Sequence, residues 1–292
     1  MRGKFVGSMT LAVILFGLVS FATAQSKENT ATKPAPRDKN WEKRHDTFVQ
    51  IAKRGNVDLL FLGDSITDAW GGEGHSDKAS GSKLFASKFV PLKAANFGIG
   101  GDRTQHVLWR LQNGELDGIQ PKVLQLMIGT NNSNNMDNTA EEIADGIKAI
   151  VAEVKKRSPK TKILLLAVFP RNTAKDETAR KTQKDKIDNI NKMIAKLDDG
   201  GKSVKFLDIG GKFLDGNGAI PKDIMPDQLH LSEKGYEIWA NAVESVIKMM
   251  LKDEIKVEVA SKSQPKESQP ASDDVVTEKR FRLRNIFKRF GR

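Results

Sequence analysis

The sequence predicts an α/β protein: a three-layer α/β/α sandwich around a doubly wound, mostly parallel, five-stranded sheet. Short apolar runs bounded by turn residues alternate along the chain with longer stretches of helical periodicity, as repeated strand and helix units do. Several of these runs are apolar throughout, which is typical of strands buried on both faces of a parallel sheet. The stretch 40–252 is long enough to bury one large core without disulfides or metals. We therefore expect it to form a single domain.

The elements follow one another along this stretch. The predicted strand segments are 57–62, 92–95, 123–128, 161–169 and 204–209. The predicted helices are 41–54, 104–116, 140–157, 176–197 and 233–251. The helix at 41–54 is expected because its apolar residues fall on one helical side, and the helix at 140–157 should end before Pro159. The connection 71–82 is rich in glycine and serine, which predicts a mobile loop.

A serine follows the first predicted strand directly. The apolar run 57–62 ends in Gly63-Asp64-Ser65, a tight turn that would lift Ser65 out of the carboxyl end of the strand. Ligands and chemistry collect at that edge of an open α/β sheet. Ser65 is therefore a candidate nucleophile if the chain also supplies a base, an orienting acid and donors for an oxyanion.

An acid and a histidine lie together just before the last predicted helix. Asp227 stands three residues before His230, so its carboxylate can reach the near ring nitrogen and leave the far nitrogen free as a base. Taken alone, this pattern fits a helix cap or a surface pair equally well. Of the other histidines, His45 follows Glu42 within a predicted helix, where that spacing gives an ordinary surface pair. The remaining two have no acid at that spacing.

Two stretches between Ser65 and His230 offer donors for an oxyanion. Glycines at 98–101 allow the backbone to approach a ligand near a helix start, so the amide of Gly101 could donate a hydrogen bond. Asn131 follows the strand 123–128, and its side-chain amide could donate to the same group. Taken alone, the first stretch also fits an ordinary glycine turn and the second an ordinary Asx turn.

Together these blocks resemble the SGNH hydrolases, also called the GDSL esterase/lipase family. Their matches stand in the family's order: Gly63-Asp64-Ser65, Gly101, Asn131 and Asp227-x-x-His230. One departure is Ile66, where the family name expects Leu, and the change is conservative. Segments 96–102 and 106–111 look especially like the catalytic alpha subunits of the platelet-activating-factor acetylhydrolase group. The likeness spans about residues 40–252.

The resemblance implies a flavodoxin-like fold and a serine ester hydrolase. It makes Ser65, Asp227 and His230 the catalytic residues. It also makes the Ser65 amide, the Gly101 amide and the Asn131 side chain the oxyanion hole.

Other kinds of site are not supported by the sequence. It contains no Gly-x-Ser-x-Gly elbow, and Arg103 stands where a dinucleotide fingerprint needs its third glycine. Gly200-Gly201-Lys202-Ser203 lacks the earlier glycine of a phosphate-binding loop, since position 196 is Lys196. The chain has no cysteine and no histidine pair at metal-ligand spacing. We therefore expect neither a cofactor nor a metal.

The N-terminus has the features of an export signal. A short basic start precedes the uncharged, mostly apolar segment 5–21, and Ala22-Thr23-Ala24 is a small-residue cleavage site. We predict a signal peptide at 1–24 and an exported, periplasmic or extracellular protein. An uncleaved membrane anchor is the alternative, because the uncharged stretch is nearly long enough to span a bilayer. Residues 25–39 are then predicted to be a flexible lead-in.

The positive charge is concentrated at the two ends. The formal net charge is +11, of which 1–24 carries +2 and 277–292 carries +6, leaving +3 for the rest. A nearly neutral body argues against a nucleic-acid partner. Residues 253–276 are predicted to be a disordered linker, and 277–292 a basic amphipathic tail. Such a tail could bind an anionic membrane or envelope surface, and it is equally consistent with a solvated segment that binds neither.

These features lead to one expected function and two alternatives. The asparagine-rich stretch 131–135 and the glycine-rich loop after Trp70 indicate a polar, open site, which favours short acyl groups such as acetyl. We expect a secreted esterase that acts on a small acyl ester of a carbohydrate or lipid-like alcohol. A lysophospholipase or thioesterase, or a non-catalytic envelope-binding module, is the alternative.

Overall fold

The computed structural model of the chain describes residues 28–134 and 137–262. The predicted signal peptide 1–24, the tail 277–292 and the linker from residue 263 onward lie outside the described residues. No helix within the described ranges is both long enough and apolar enough to cross a membrane.

The centre of the fold is a parallel sheet of five strands. These are β1 (Leu59–Gly63), β2 (Ala94–Gly98), β3 (Val123–Met127), β4 (Lys162–Leu166) and β5 (Val204–Leu207). The strand order is β2-β1-β3-β4-β5, and every neighbouring pair is parallel. The chain therefore winds outward in both directions from β1, which confirms the predicted doubly wound sheet.

Helices connect the strands and close the fold. The described helices are α1 (Lys39–Arg54), α2 (Ser65–Asp68), α3 (Ser82–Leu84), α4 (Thr104–Gln112), α5 (Ala140–Arg157), α6 (Glu177–Ile194) and α7 (Glu233–Lys262). α3 continues into a π turn at Phe85–Phe89 and a 3-10 turn at Val90–Leu92, and further 3-10 turns lie at Thr30–Thr32, Ala195–Leu197 and Gly210–Phe213.

Each face of the sheet has its own apolar core. Leu60 and Leu62 of β1 pack on the side covered by α1, α4, α5 and α6. Leu59 and Phe61 point to the opposite side, where α7 and the turns after α3 cover the sheet. Alternate side chains of one strand thus enter two different cores, as the pleat requires. The three layers agree with the predicted sandwich.

The segment before α1 packs against the rest of the protein. Over the described residues 28–38, this corrects the prediction that 25–39 is a flexible lead-in. Ala31 is completely buried, and its carbonyl accepts a 2.8 Å hydrogen bond from Thr104 Oγ1 in α4. The Ala35 amide donates to the Gln105 carbonyl at 3.2 Å. These contacts hold a proline-containing segment that has no apolar periodicity of its own. We call residues 28–38 the N-terminal strap.

Three further expectations need correction. α7 continues through Lys262, so the linker predicted from residue 253 begins in a helix. His45 is not in a surface pair with Glu42, since its ring is buried and its Nδ1 lies 3.2 Å from Glu115 Oε1. The connection 71–82 is tied down at His75, whose buried ring lies between Asp68 and the backbone of β2.

Candidate active site

Ser65 begins α2, immediately after the carboxyl end of β1. Asp64 caps this short helix, because its Oδ1 accepts a 3.0 Å hydrogen bond from the Ile66 amide. The turn is tight, since a Cβ on Gly63 would lie 2.2 Å from Thr67 Oγ1. From the other side, the Tyr236 hydroxyl of α7 donates to the Ile66 carbonyl at 2.7 Å. Ser65 therefore sits on a rigid turn at the predicted edge of the sheet.

The three predicted triad side chains form one continuous hydrogen-bonded chain. Ser65 Oγ lies 2.9 Å from Nε2 of His230, although 165 positions separate the two residues. Nδ1 of the same ring lies 2.7 Å from Oδ2 of Asp227. When Nδ1–H donates to the carboxylate, Nε2 is the acceptor that faces the hydroxyl. The structure thus brings together the three side chains named from the sequence.

The turn that carries Asp227 and His230 is held by hydrogen bonds within the turn. Oδ1 of Asp227 accepts hydrogen bonds from the amides of Leu229 and His230, at 3.0 and 2.7 Å. Burial tends to raise the pKa of Asp227, but hydrogen bonds from the ring and backbone of His230 outweigh it and hold the pKa below its ordinary value. The carboxylate therefore stays ionised at neutral pH. Gln228 completes the turn in a left-handed conformation, with φ of 63°.

Two of the three predicted oxyanion donors, on Gly101 and Asn131, follow β2 and β3, the strands that flank β1. Gly101 has φ of +78°, a conformation that favours glycine. Within the described residues, neither its amide nor that of Ser65 has a hydrogen-bond acceptor. Asn131 Nδ2 donates to the Asp102 carbonyl at 2.8 Å, which uses one of its two hydrogens. One hydrogen of Asn131 and both amides are thus available to a ligand.

A buried ion cluster supports the glycine loop from behind. Asp102 follows Gly101 and is completely buried. Its carboxylate accepts hydrogen bonds from Arg110 Nε at 2.9 Å and from Trp41 Nε1 at 2.6 Å. Burial raises the pKa of Asp102, and the Arg110 cation acts in the opposite direction. The loop is therefore anchored at a charged residue that packs inside the protein.

Three polar side chains near the site were not assigned a site role from the sequence. Asp68 Oδ2 accepts a hydrogen bond from the Gly100 amide at 2.9 Å, and Arg37 Nη1 donates to the Gly100 carbonyl at 2.8 Å. Arg171 Nη1 donates to the Thr130 carbonyl at 2.9 Å, beside Asn131. Only Asp68 leaves a signal in the sequence, because its place after the serine suggests an ion pair or a helix cap. The two arginines lie in stretches without a chemical motif.

Known proteins are similar to this chain over most of its length. The model of the GDSL-like lipase/acylhydrolase family matches residues 61–238. Platelet-activating factor acetylhydrolase IB subunit alpha1 of Homo sapiens is 36% identical over 230 residues, which are 77% of this chain and 92% of that protein. Subunit alpha2 of Mus musculus is 38% identical over 216 residues, 74% of this chain and 87% of that protein.

A solved structure shows the same fold. A GDSL-like lipase from Bacteroides thetaiotaomicron superimposes with a TM-score of 0.50 at 20% identity, covering 74% of this chain and 97% of that chain. The two acetylhydrolase subunits are matched over most of their own length. The family model begins within β1 and ends within α7, so it covers nearly the whole sheet. The chain therefore belongs to the GDSL-like lipase/acylhydrolase family, the SGNH hydrolases, and is an ester hydrolase.

Proposed function

We propose that this ester hydrolase is an exported serine esterase that removes short acyl groups, acetyl above all, from carbohydrate or lipid-like alcohols. The observation that carries the serine mechanism is the hydrogen-bonded chain from Ser65 Oγ through His230 to Asp227, with distances of 2.9 and 2.7 Å. In that geometry the imidazole can take the serine proton as Oγ attacks the ester carbonyl.

The reaction then proceeds in two halves. In the first, the imidazolium gives the proton to the leaving alcohol, and an acyl group stays on Ser65. In the second, His230 takes a proton from water, the water attacks the acyl carbonyl, and the acid leaves. The Asp227 carboxylate keeps the ring in the required tautomer and stabilises its cationic form, which the lowered pKa of Asp227 permits at neutral pH.

The oxyanion of each tetrahedral intermediate would accept hydrogen bonds from the Ser65 amide, the Gly101 amide and the Asn131 side chain. The free donors on these residues support this assignment. One donor of this kind is worth about 10² to 10³ in rate.

Two observations support a short acyl group. The site is open, since the side chains of Asp227 and His230 are 56% and 44% exposed. A long acyl chain gains affinity only where apolar surface covers it, whereas an acetyl group needs little cover. The relatives at 36–38% identity carry the name platelet-activating factor acetylhydrolase, which is likewise an activity on acetyl groups.

The acyl preference is measured with p-nitrophenyl acetate, butyrate and octanoate, with Ser65→Ala as the background control. We expect kcat/KM to be highest for the acetate and to fall as the chain lengthens. A maximum at the octanoate would contradict the proposal and favour a lysophospholipase or thioesterase. The same assay on fractionated cells tests export, and activity confined to the cytoplasm would contradict that part.

A further inference from the structure

The peptide that joins Gly100 to Gly101 is held at its carbonyl. Arg37 Nη1 donates a 2.8 Å hydrogen bond to the Gly100 oxygen. The described peptides contain no cis bond, and in a trans peptide the N–H points away from the C=O. The N–H opposite the Gly100 oxygen belongs to Gly101. Arg37 therefore fixes the direction of the amide hydrogen that is proposed to meet the oxyanion.

The preceding peptide is held as well, by Asp68. Its Oδ2 accepts the Gly100 amide at 2.9 Å, so Gly100 is bound on both of its backbone polar groups. A Cβ on Gly100 would lie 3.8 Å from the Ser65 Cβ, which places this clamped residue directly against the serine. Asp68 ends α2, the helix that Ser65 begins. The serine and the glycine loop thus share one support.

Asp68 is itself firmly placed. Its Oδ1 lies 3.0 Å from Arg44 Nη2 and 2.7 Å from His75 Nδ1, and the other ring nitrogen of His75 lies 2.8 Å from the Asn96 carbonyl of β2. Burial tends to raise the pKa of Asp68, but His75 and Arg44 outweigh it and hold the pKa below its ordinary value. The acceptor for the Gly100 amide is therefore a carboxylate at neutral pH.

Arg37 reaches the loop because the N-terminal strap is docked. The strap packs where α5 has a glycine: a Cβ on Gly146 would lie 2.7 Å from the Ala31 carbonyl. Arg37 also lies 3.2 Å from Asp102 Oδ1, and a Cβ on Gly101 would be 3.3 Å from its guanidinium. A cation packed against the oxyanion glycine thus comes from a segment outside the matched residues 61–238.

We propose that Arg37 and Asp68 are positioning residues that clamp Gly100 so that the Gly101 amide faces the developing oxyanion. The inference rests on the proposed serine mechanism. A hydrogen bond accepted by the carbonyl also strengthens the N–H of the same peptide as a donor. The clamp serves the transition state more than the ground state, so its loss lowers kcat with little change in KM.

The test compares Arg37→Ala, Arg37→Lys and wild type with p-nitrophenyl acetate. Because the donor itself is worth about 10² to 10³ in rate, we expect Arg37→Ala to lower kcat by about 10-fold to 100-fold. The kcat of Arg37→Lys should fall less than that of Arg37→Ala. Guanidinium at low, non-denaturing concentration should restore part of the kcat of Arg37→Ala. Arg54→Ala is the matched control, because Arg54 pairs with exposed Glu73 on the surface.

Asp68→Asn probes the other side of the clamp. Asn keeps an oxygen for the Gly100 amide but loses the charge that holds Arg44 and His75, so we expect a smaller fall in kcat than for Arg37→Ala. Thermal unfolding of each variant separates misfolding from misplacement, and Arg37→Lys carries the test if Arg37→Ala does not fold.

Different results would overturn the clamp and the serine mechanism. A folded Arg37 variant with wild-type kcat, or with a change in KM alone, would overturn the clamp while leaving the esterase intact. A wild-type protein whose ester hydrolysis is unaffected by Ser65→Ala would overturn the proposed serine mechanism instead.

Discussion

Among single residues, Asp64 has the most unusual chemistry. It is completely buried beside Ser65, and its Oδ2 has no hydrogen-bond partner among the described residues. Burial, with a smaller contribution from nearby Asp102, raises the pKa of Asp64 from 3.8 to about 7. The Ile66 amide and Arg171 act in the opposite direction but do not cancel the effect of burial. The turn that carries the candidate nucleophile therefore exchanges a proton near neutral pH.

This titration predicts a pH-dependent stability. A carboxyl whose pKa is higher in the folded than in the unfolded protein binds its proton more tightly when folded, so its contribution to stability is lost as pH rises from 3.8 to about 7. Asp64→Asn keeps the acceptor for the Ile66 amide and cannot titrate. We expect the free energy of unfolding of the variant, relative to wild type, to increase across this interval by about 1 kcal/mol or more.

Denaturant unfolding at several pH values across the interval measures the effect. Both proteins share every other titratable group, so their difference isolates Asp64. Two parallel stability curves would contradict the raised pKa.

Among the elements, α4 is bound to the sheet by one buried guanidinium. Arg110 donates to the Asp102 carboxylate at 2.9 Å, to both Glu115 oxygens at 2.7 Å and to the Phe97 carbonyl of β2 at 2.9 Å. Arg110, Asp102 and Glu115 are all completely buried. The cluster fixes the end of β2, the glycine loop and α4 relative to one another. It therefore supports both the fold and the position of Gly101.

Removing the cation from this cluster should be costly. Arg110→Met removes the cation that lies between two buried carboxylates, and the remaining contacts of Asp102 with Arg37 and of Glu115 with His45 replace only part of it. We therefore expect the free energy of unfolding to fall by about 3 to 5 kcal/mol. Chemical denaturation measures this loss, and Arg54→Met is the control because it removes an exposed arginine of the same size. A loss as small as that of the control would show that the cluster does not stabilise the fold.

At the scale of the whole molecule, the sequence predicts best what has a local pattern. The helix Ala140–Arg157 is predicted with the bounds observed, because a proline follows its end and its apolar residues repeat at helical spacing. The meeting of Ser65 and His230 follows from a general property of parallel sheets, whose strands present their carboxyl ends at one edge. The ends of the strands are predicted less accurately, since the apolar run begins at residue 57 whereas β1 begins at Leu59.

Contacts between distant polar residues could not be predicted. Arg37 reaches Gly100 across 63 positions and His45 reaches Glu115 across 70, and neither pair leaves a periodic or spaced pattern in the chain. The strap has the composition of a flexible segment, and its order comes from contacts with α4, α5 and the glycine loop. Tertiary packing, rather than local preference, decides such segments.

The central claim is that Ser65 Oγ is a nucleophile activated by His230, and labelling with a fluorophosphonate followed by peptide mass spectrometry tests it most directly. We predict one adduct, on the peptide that contains Ser65, and none in Ser65→Ala. Asp227→Asn should slow labelling by about 10²-fold or more, because Asn cannot hold the imidazole in the required tautomer. An adduct on another residue, or labelling of Ser65→Ala at the wild-type rate, would contradict the account.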